Sequence, residues 1–233
     1  MAGGQKPMII DVHCHVVSPD RAAYPLAPIG GKQSDWSSER PTTPEQLIAA
    51  MDEAGVEKAA VVQASTAYGH NSSYLADSLV KFPKRFTGVF SLDPLDPQAL
   101  AQMDHWVSRG MTGMRVFTTG STMPGQQTWL DDERAYPVWE KAGQLKLPVK
   151  NIYLKLTSRT VEHCQQGQST PEAFMAKVLA TFGASRVLWG SNFPAHDDTL
   201  KNIVDETMHV LASLSDADRA QILSGTALDL YPS

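Results

Sequence analysis

Apolar residues along this chain fall into short runs separated by stretches with a different period. MIIDVHCH (8–15), KAAVVQAS (58–65), RFTGVFSLD (85–93), GMRVFTT (113–119) and RVLWGSNF (186–193) read as strands rich in β-branched residues. Between them lie segments with helical spacing: TTPEQLIAAMDEAG, NSSYLADSLVKF, PQALAQMDHWVSRG, DDERAYPVWEKAGQLK (131–146) and TPEAFMAKVLATFG, with two more closing the chain at 198–213 and 215–228. The first of these helices is the best marked. Thr43 is placed to cap it, Pro44 takes the first helical position and Gln46 completes a capping box. Leu47, Ile48 and Met51 form its buried stripe, and Gly55 ends it. Pro137 is expected to kink the helix over 131–146.

Strand–helix alternation over the whole length predicts a parallel sheet with helices outside it. No shift in composition marks a linker, so residues 1–233 are expected to form a single domain. A (β/α) barrel is the natural architecture, although eight repeats normally take about 250 residues. The polar stretch 18–41, rich in proline and glycine, is long for a plain connection and is expected to be a functional loop.

One run breaks the alternation. LPVKNIYLKLTS (147–158) is strand-like from end to end, with only Lys150 and Asn151 between Val149 and Ile152. Parallel neighbours need a crossover of about a dozen residues or more. The run is therefore one long strand, or two strand halves joined without their connection. The total is six or seven strands rather than eight.

Composition narrows the function. Of 233 residues, 42% are hydrophobic and 19% charged, enough for a sizeable core. The net charge of −5 is spread without basic clusters, which argues against nucleic-acid and membrane-surface partners. No apolar run reaches transmembrane length, and the apolar run near the N-terminus is too short for a signal peptide. Cys14 and Cys164 make no disulfide framework. The expectation is a reduced, cytoplasmic protein with a small-molecule substrate, and a homo-oligomer is a candidate assembly.

The strongest chemical signal is Asp11-Val12-His13-Cys14-His15. Strict strand alternation puts Asp11, His13 and His15 on one face and Cys14 on the other. Two imidazoles two residues apart near a strand's C-terminal end can grip one metal ion, and neutral imidazole suits Zn, Fe, Ni or Cu. The alternative is a pair of packed, satisfied histidines. Ser191 and Asn192 stand where the last strand ends, before Pro194, and could face the same cavity or simply form a turn. Arg115 suits a substrate carboxylate or a structural ion pair. Tyr153, Lys155 and Thr157 share one strand face, and Tyr153 and Lys155 are candidate substrate contacts if that face is the inner one. Trp36 and Tyr24 could wall a pocket or fasten the long loop. His70, His163 and His196 follow strands, whereas His105 and His209 sit in helices.

DVHCH at the start and VLWGSNFP near the end resemble the amidohydrolase superfamily, in its amidohydrolase-related branch. VVQASTAYGHNSSYLADSL, GMRVF, WLDDERAYPVWEKAGQLKLPV, NIYLKLT and ILSGTALDLY extend the resemblance over nearly the whole chain. It implies a (β/α)8 TIM-barrel-like α/β fold with a site at the strands' C-terminal ends. His13 and His15 then match first-strand metal ligands. The implied chemistry is hydrolysis of a small carboxylated lactone or similar carbonyl compound. Water would be activated by a divalent metal, Zn or Mn, or the carbonyl would be polarised by the histidines without metal. Decarboxylation is the alternative within the branch.

Two departures qualify this. The family's last-strand aspartate, a metal ligand and general base, is Asn192 here, which takes up no proton at neutral pH. KLPV resembles the start of the family's fifth strand and NIYLKLT its seventh. Part of the fifth strand, the sixth strand and their helices are thus expected to be missing between Val149 and Ile152, together with two site histidines. Such a chain could also be a catalytically impaired deletion variant or a non-enzymatic protein that dimerises across the gap.

Overall fold

A computed structural model describes residues 7–117, 132–148, 153–164 and 169–231. Among them are six strands: β1 (Ile10–Cys14), β2 (Lys58–Val62), β3 (Phe86–Leu92), β4 (Met111–Val116), β5 (Leu154–Thr157) and β6 (Val187–Gly190). β1 to β4 pair in sequence order, all parallel, and β5 pairs in parallel with β6. β6 lies beside β1, where the Asn192 amide donates to the His13 carbonyl (2.7 Å) and the His15 amide donates to the Phe193 carbonyl (2.9 Å). The spatial order is therefore β5-β6-β1-β2-β3-β4, and among the described residues no strand joins β4 to β5. Residues 149–152, where the sequence lacks a crossover, lie outside the described residues.

Alternate side chains divide between two cores. Ile10, Val12, Ala60, Val62, Val89 and Leu188 meet inside the curved sheet. Val61, Phe90, Leu92, Leu156 and Trp189 face outward onto the helices. There they meet Leu47 and Met51 of α2 (Pro44–Ala54), with Ile48 at its margin, and Met103 of α5 (Ala99–Ser108). α2 begins as its sequence predicts. The Thr43 side chain accepts from the Gln46 amide, the Gln46 side chain accepts from the Thr43 amide, and Gly55 closes the helix at φ 73°.

Several expectations are corrected. Pro137 does not kink a helix: Glu133–Ala135 form a 3-10 turn, and α6 (Tyr136–Gln144) starts with Pro137 in its first turn, where a missing amide donor costs nothing. β6 stops at Gly190 rather than Phe193, because Asn192 turns the chain at φ 61°. The long loop carries a 3-10 turn (Ile29–Gly31) and the short helix α1 (Asp35–Glu39). The closing segment is Asp216–Ala220, a π-turn over Gln221–Gly225 and Thr226–Leu230. No described helix is long and apolar enough to cross a membrane.

Candidate active site

The site begins with an irregularity in β1. Asp11 pairs with Ala59 and Cys14 with Val61, so three steps on β1 match two on β2. This bulge puts Val12 and His13 both inward and breaks the simple alternation. Asp11 does not join the histidines. It is fully buried, and its carboxylate accepts from the His13 amide (2.8 Å), the Ser191 amide (2.9 Å) and the Ser191 hydroxyl. Burial raises its pKa, and the bonds from Ser191 work against that rise.

His13 and His15 meet edge to face, with ring centroids 4.9 Å apart. Both line a cavity of about 570 Å³ at the C-terminal ends of the strands. β6 sets their backbone. A Cβ on Gly190 would lie 2.8 Å from the His13 Cβ, so only glycine lets the strands approach this closely. The Asn192 side chain is hydrogen-bonded to His15, and Trp36 from α1 stacks on that ring with centroids 5.2 Å apart.

Cations surround the pair. Arg115 of β4 lies over the Phe117 ring at 4.3 Å and donates to the Gln63 carbonyl at 3.4 Å. Burial lowers its pKa to about 10, so it stays charged at neutral pH. Lys155 of β5 faces inward because its neighbour Leu156 is fully buried in the outer core. Its Nζ lies 2.5 Å from His13 Nδ1. Burial first, and then the Arg115 charge, bring Lys155 down to about 8. Arg159 and Lys32 also reach the cavity wall. Desolvation is the main force lowering both histidines, with help from Lys155 and Arg115: His13 falls well below its usual value and His15 to about 3. Both imidazoles are therefore neutral at pH 7.

These residues do not fit a divalent cation. Zinc wants at least three protein donors and Mn six oxygens or nitrogens. No group of three His, Cys, Asp or Glu side chains able to hold a metal occurs among the described residues. Asp11 is engaged by Ser191, Asn192 offers an amide rather than a carboxylate, and His13 Nδ1 meets an ammonium group. The charge of Arg115 and Lys155 favours an anion.

Of the residues singled out from sequence, His13, His15, Asn192 and Arg115 come together in the cavity wall. Lys155 stands behind His13. Tyr153 does not join them; it packs with Leu230 and Tyr231 against the inner cluster. His70 bonds Ser91 (2.9 Å), His196 faces Glu162 (3.2 Å), and Tyr24 fastens the loop by donating to Asp77 (2.7 Å). Sequence reasoning missed Gln33, Ser65 and Arg159. Both Gln33 and Ser65 line the cavity, and their Nε2 and Oγ atoms are buried without a protein hydrogen-bond partner. Their one signal was position, just beyond a strand or within the long loop.

The chain is similar in fold to several solved structures. One is a probable 2-pyrone-4,6-dicarboxylic acid hydrolase from Acinetobacter baumannii with citric acid bound (TM-score 0.68, 13% identity, 95% of this chain and 98% of that one). Another is a putative enzyme of the same name from Pseudomonas putida (0.66, 19%, 97% and 98%). A third is a dihydroxybenzoic acid decarboxylase from a Polaromonas species with bound manganese and the inhibitor 2-nitroresorcinol (0.67, 15%, 97% and 97%). At these identities the likeness is one of fold, the TIM barrel. No curated protein matches the chain. The amidohydrolase family model matches residues 10–166 and 150–233, which together span nearly all of it, and the protein belongs to the amidohydrolase family.

Proposed function

We propose that this protein is a hydrolase of a small carboxylated lactone or similar carbonyl compound. One observation carries the reading: two neutral imidazoles and the Arg115 guanidinium line one cavity. Arg115 suits a carboxylate, which a guanidinium can bind through two parallel hydrogen bonds. Trp36, which lines the cavity and stacks on His15, offers aromatic surface to a planar ring. One imidazole would polarise the carbonyl while the other takes a proton from the attacking water. Of the two routes expected from sequence, the donor set favours the one without Zn or Mn. The names of two structural relatives, a probable and a putative 2-pyrone-4,6-dicarboxylic acid hydrolase, support the hydrolase reading. Decarboxylation is the second reading, favoured by the manganese-containing relative.

The test supplies 2-pyrone-4,6-dicarboxylate and 2,6-dihydroxybenzoate in parallel, following loss of ring absorbance and release of carbon dioxide. Turnover of the pyrone that disappears in His13→Ala and His15→Ala, with near-UV circular dichroism unchanged, supports the hydrolase. Carbon dioxide release alone makes it a decarboxylase. Turnover surviving both substitutions overturns the site. A folded protein inert to both substrates favours the non-enzymatic reading of the shortened chain.

A further inference from the structure

His13 and His15 are alike in sequence, yet their Nδ1 atoms meet partners of opposite character. His15 Nδ1 lies 2.8 Å from the Val62 carbonyl oxygen. A carbonyl only accepts, so this nitrogen carries the proton and His15 Nε2 keeps a lone pair. His13 Nδ1 lies 2.5 Å from Lys155 Nζ. An ammonium group only donates, so this nitrogen keeps the lone pair and the proton of the neutral ring sits on Nε2. The two rings thus carry opposite chemistry on Nε2: an N–H donor on His13, and on His15 a proton acceptor that the Asn192 side chain also meets.

We propose that Lys155 is a positioning residue that holds His13 as its Nε2–H tautomer, making His13 the electrophile and His15 the base, and closing the histidine pair to metal. The fold is built for this contact. β5 is separated from β1 by β6, so Lys155 must reach across that strand. It does so at Gly190, where a Cβ would lie 3.3 Å from Lys155 Cδ and 2.8 Å from His13 Cβ. The side chain therefore crosses in the one place where β6 has no side chain. Metal ligation through His13 Nε2 would require that nitrogen to shed its proton, which the Lys155 contact opposes.

The assignment rests on the hydrolase reading for its catalytic meaning, and its steps balance. Water oxygen bonds to the carbonyl carbon as its proton passes to His15 Nε2. The carbonyl π pair moves onto oxygen, held by His13 Nε2–H. The C=O bond then re-forms, the ring C–O bond breaks, and the proton on His15 goes to the leaving oxygen.

Side-chain nitrogen NMR of the whole chain tests this without substrate. In the wild type, His13 is expected as the Nε2–H tautomer and His15 as Nδ1–H. In Lys155→Met, His13 should become a mixture of tautomers while His15 stays unchanged. Zn affinity, titrated calorimetrically, should rise about tenfold or more in that variant. With an active enzyme, kcat should fall more than KM rises. An Nδ1–H tautomer at His13 in the wild type overturns the proposal, even if Lys155→Met fails to fold. So does a variant whose His13 tautomer and Zn affinity match the wild type. Correct tautomers in a protein without turnover would overturn the hydrolase reading and leave the role of Lys155 standing.

Discussion

The carboxylate of Asp11 accepts both the amide and the hydroxyl of Ser191, a residue 180 positions further along the chain. This buried contact joins the first strand to the end of the last, directly beneath the two histidines. Asp11→Ala would leave the amides of His13 and Ser191 and the Ser191 hydroxyl short of an acceptor. Unpaired buried donors cost about 1–3 kcal/mol each, so urea unfolding should show a loss of about 2–5 kcal/mol. Asp11→Asn retains a carbonyl acceptor and should lose less. A loss within experimental error in Asp11→Ala would mean that water replaces the carboxylate.

Gly190→Ala places a methyl group 2.8 Å from His13 Cβ and 3.1 Å from its backbone nitrogen. Neither can give way without moving β1. Overpacking of this kind costs about 1–3 kcal/mol, and activity should fall further than stability because His13 and Lys155 are pushed apart. Thermal melting and steady-state rates on the same preparation separate the two effects.

Arg115→Met removes the cavity's guanidinium. A hydrogen bond to a charged group contributes about 1.5–3 kcal/mol, so KM for a carboxylate substrate should rise about 10- to 100-fold with a smaller change in kcat. Arg115→Lys should recover part of the affinity but not the paired geometry. An unchanged KM would return Arg115 to a structural role.

Asn192→Asp places a carboxylate beside His15. Asn192 has φ 61°, a conformation that aspartate also tolerates, so the turn should survive. The variant should take up more Zn than the wild type, read as metal per chain after size exclusion, because the two imidazoles gain an anionic third donor. If the wild type itself holds close to one Zn per chain, and loses it in His13→Ala, the metal-free reading fails.

Lys155 makes stability depend on pH in a definite direction. Its pKa falls from 10.5 to about 8 on folding, chiefly through desolvation. Between those values the unfolded chain binds more protons than the folded one, so this group makes stability rise with pH across that window. Burying the charge therefore weighs against the fold below pH 8. Lys155→Met should be the more stable protein there, and its advantage should shrink as pH approaches 10.5. Urea midpoints for both proteins at each end of the window provide the check. Anion affinity should fall over the same range, as the ammonium loses its charge.

Much of this protein was legible in its sequence where the deciding forces are local. Thr43, Gln46 and Gly55 bound a helix through bonds to their own neighbours, and the strand–helix alternation follows from which side chains must leave water. DVHCH and WGSN announced a site at two strand ends. The six strands among the described residues agree with the six or seven that the alternation predicts, whereas the run without a crossover falls on residues 149–152, outside the described residues. Other features required the tertiary structure, because they depend on how distant strands are set against one another. The bulge between Asp11 and Cys14 exists only in the pairing with β2, and it sends Asp11 to Ser191 instead of to the histidines. Tyr153 and Lys155 have the same period and the same face, yet one packs against the inner apolar cluster and the other reaches His13. Which proton each histidine carries depends on a carbonyl from β2 and an ammonium from β5. Periodicity along one strand reports which side chains are buried; the partner each one meets is decided by the register of its neighbours.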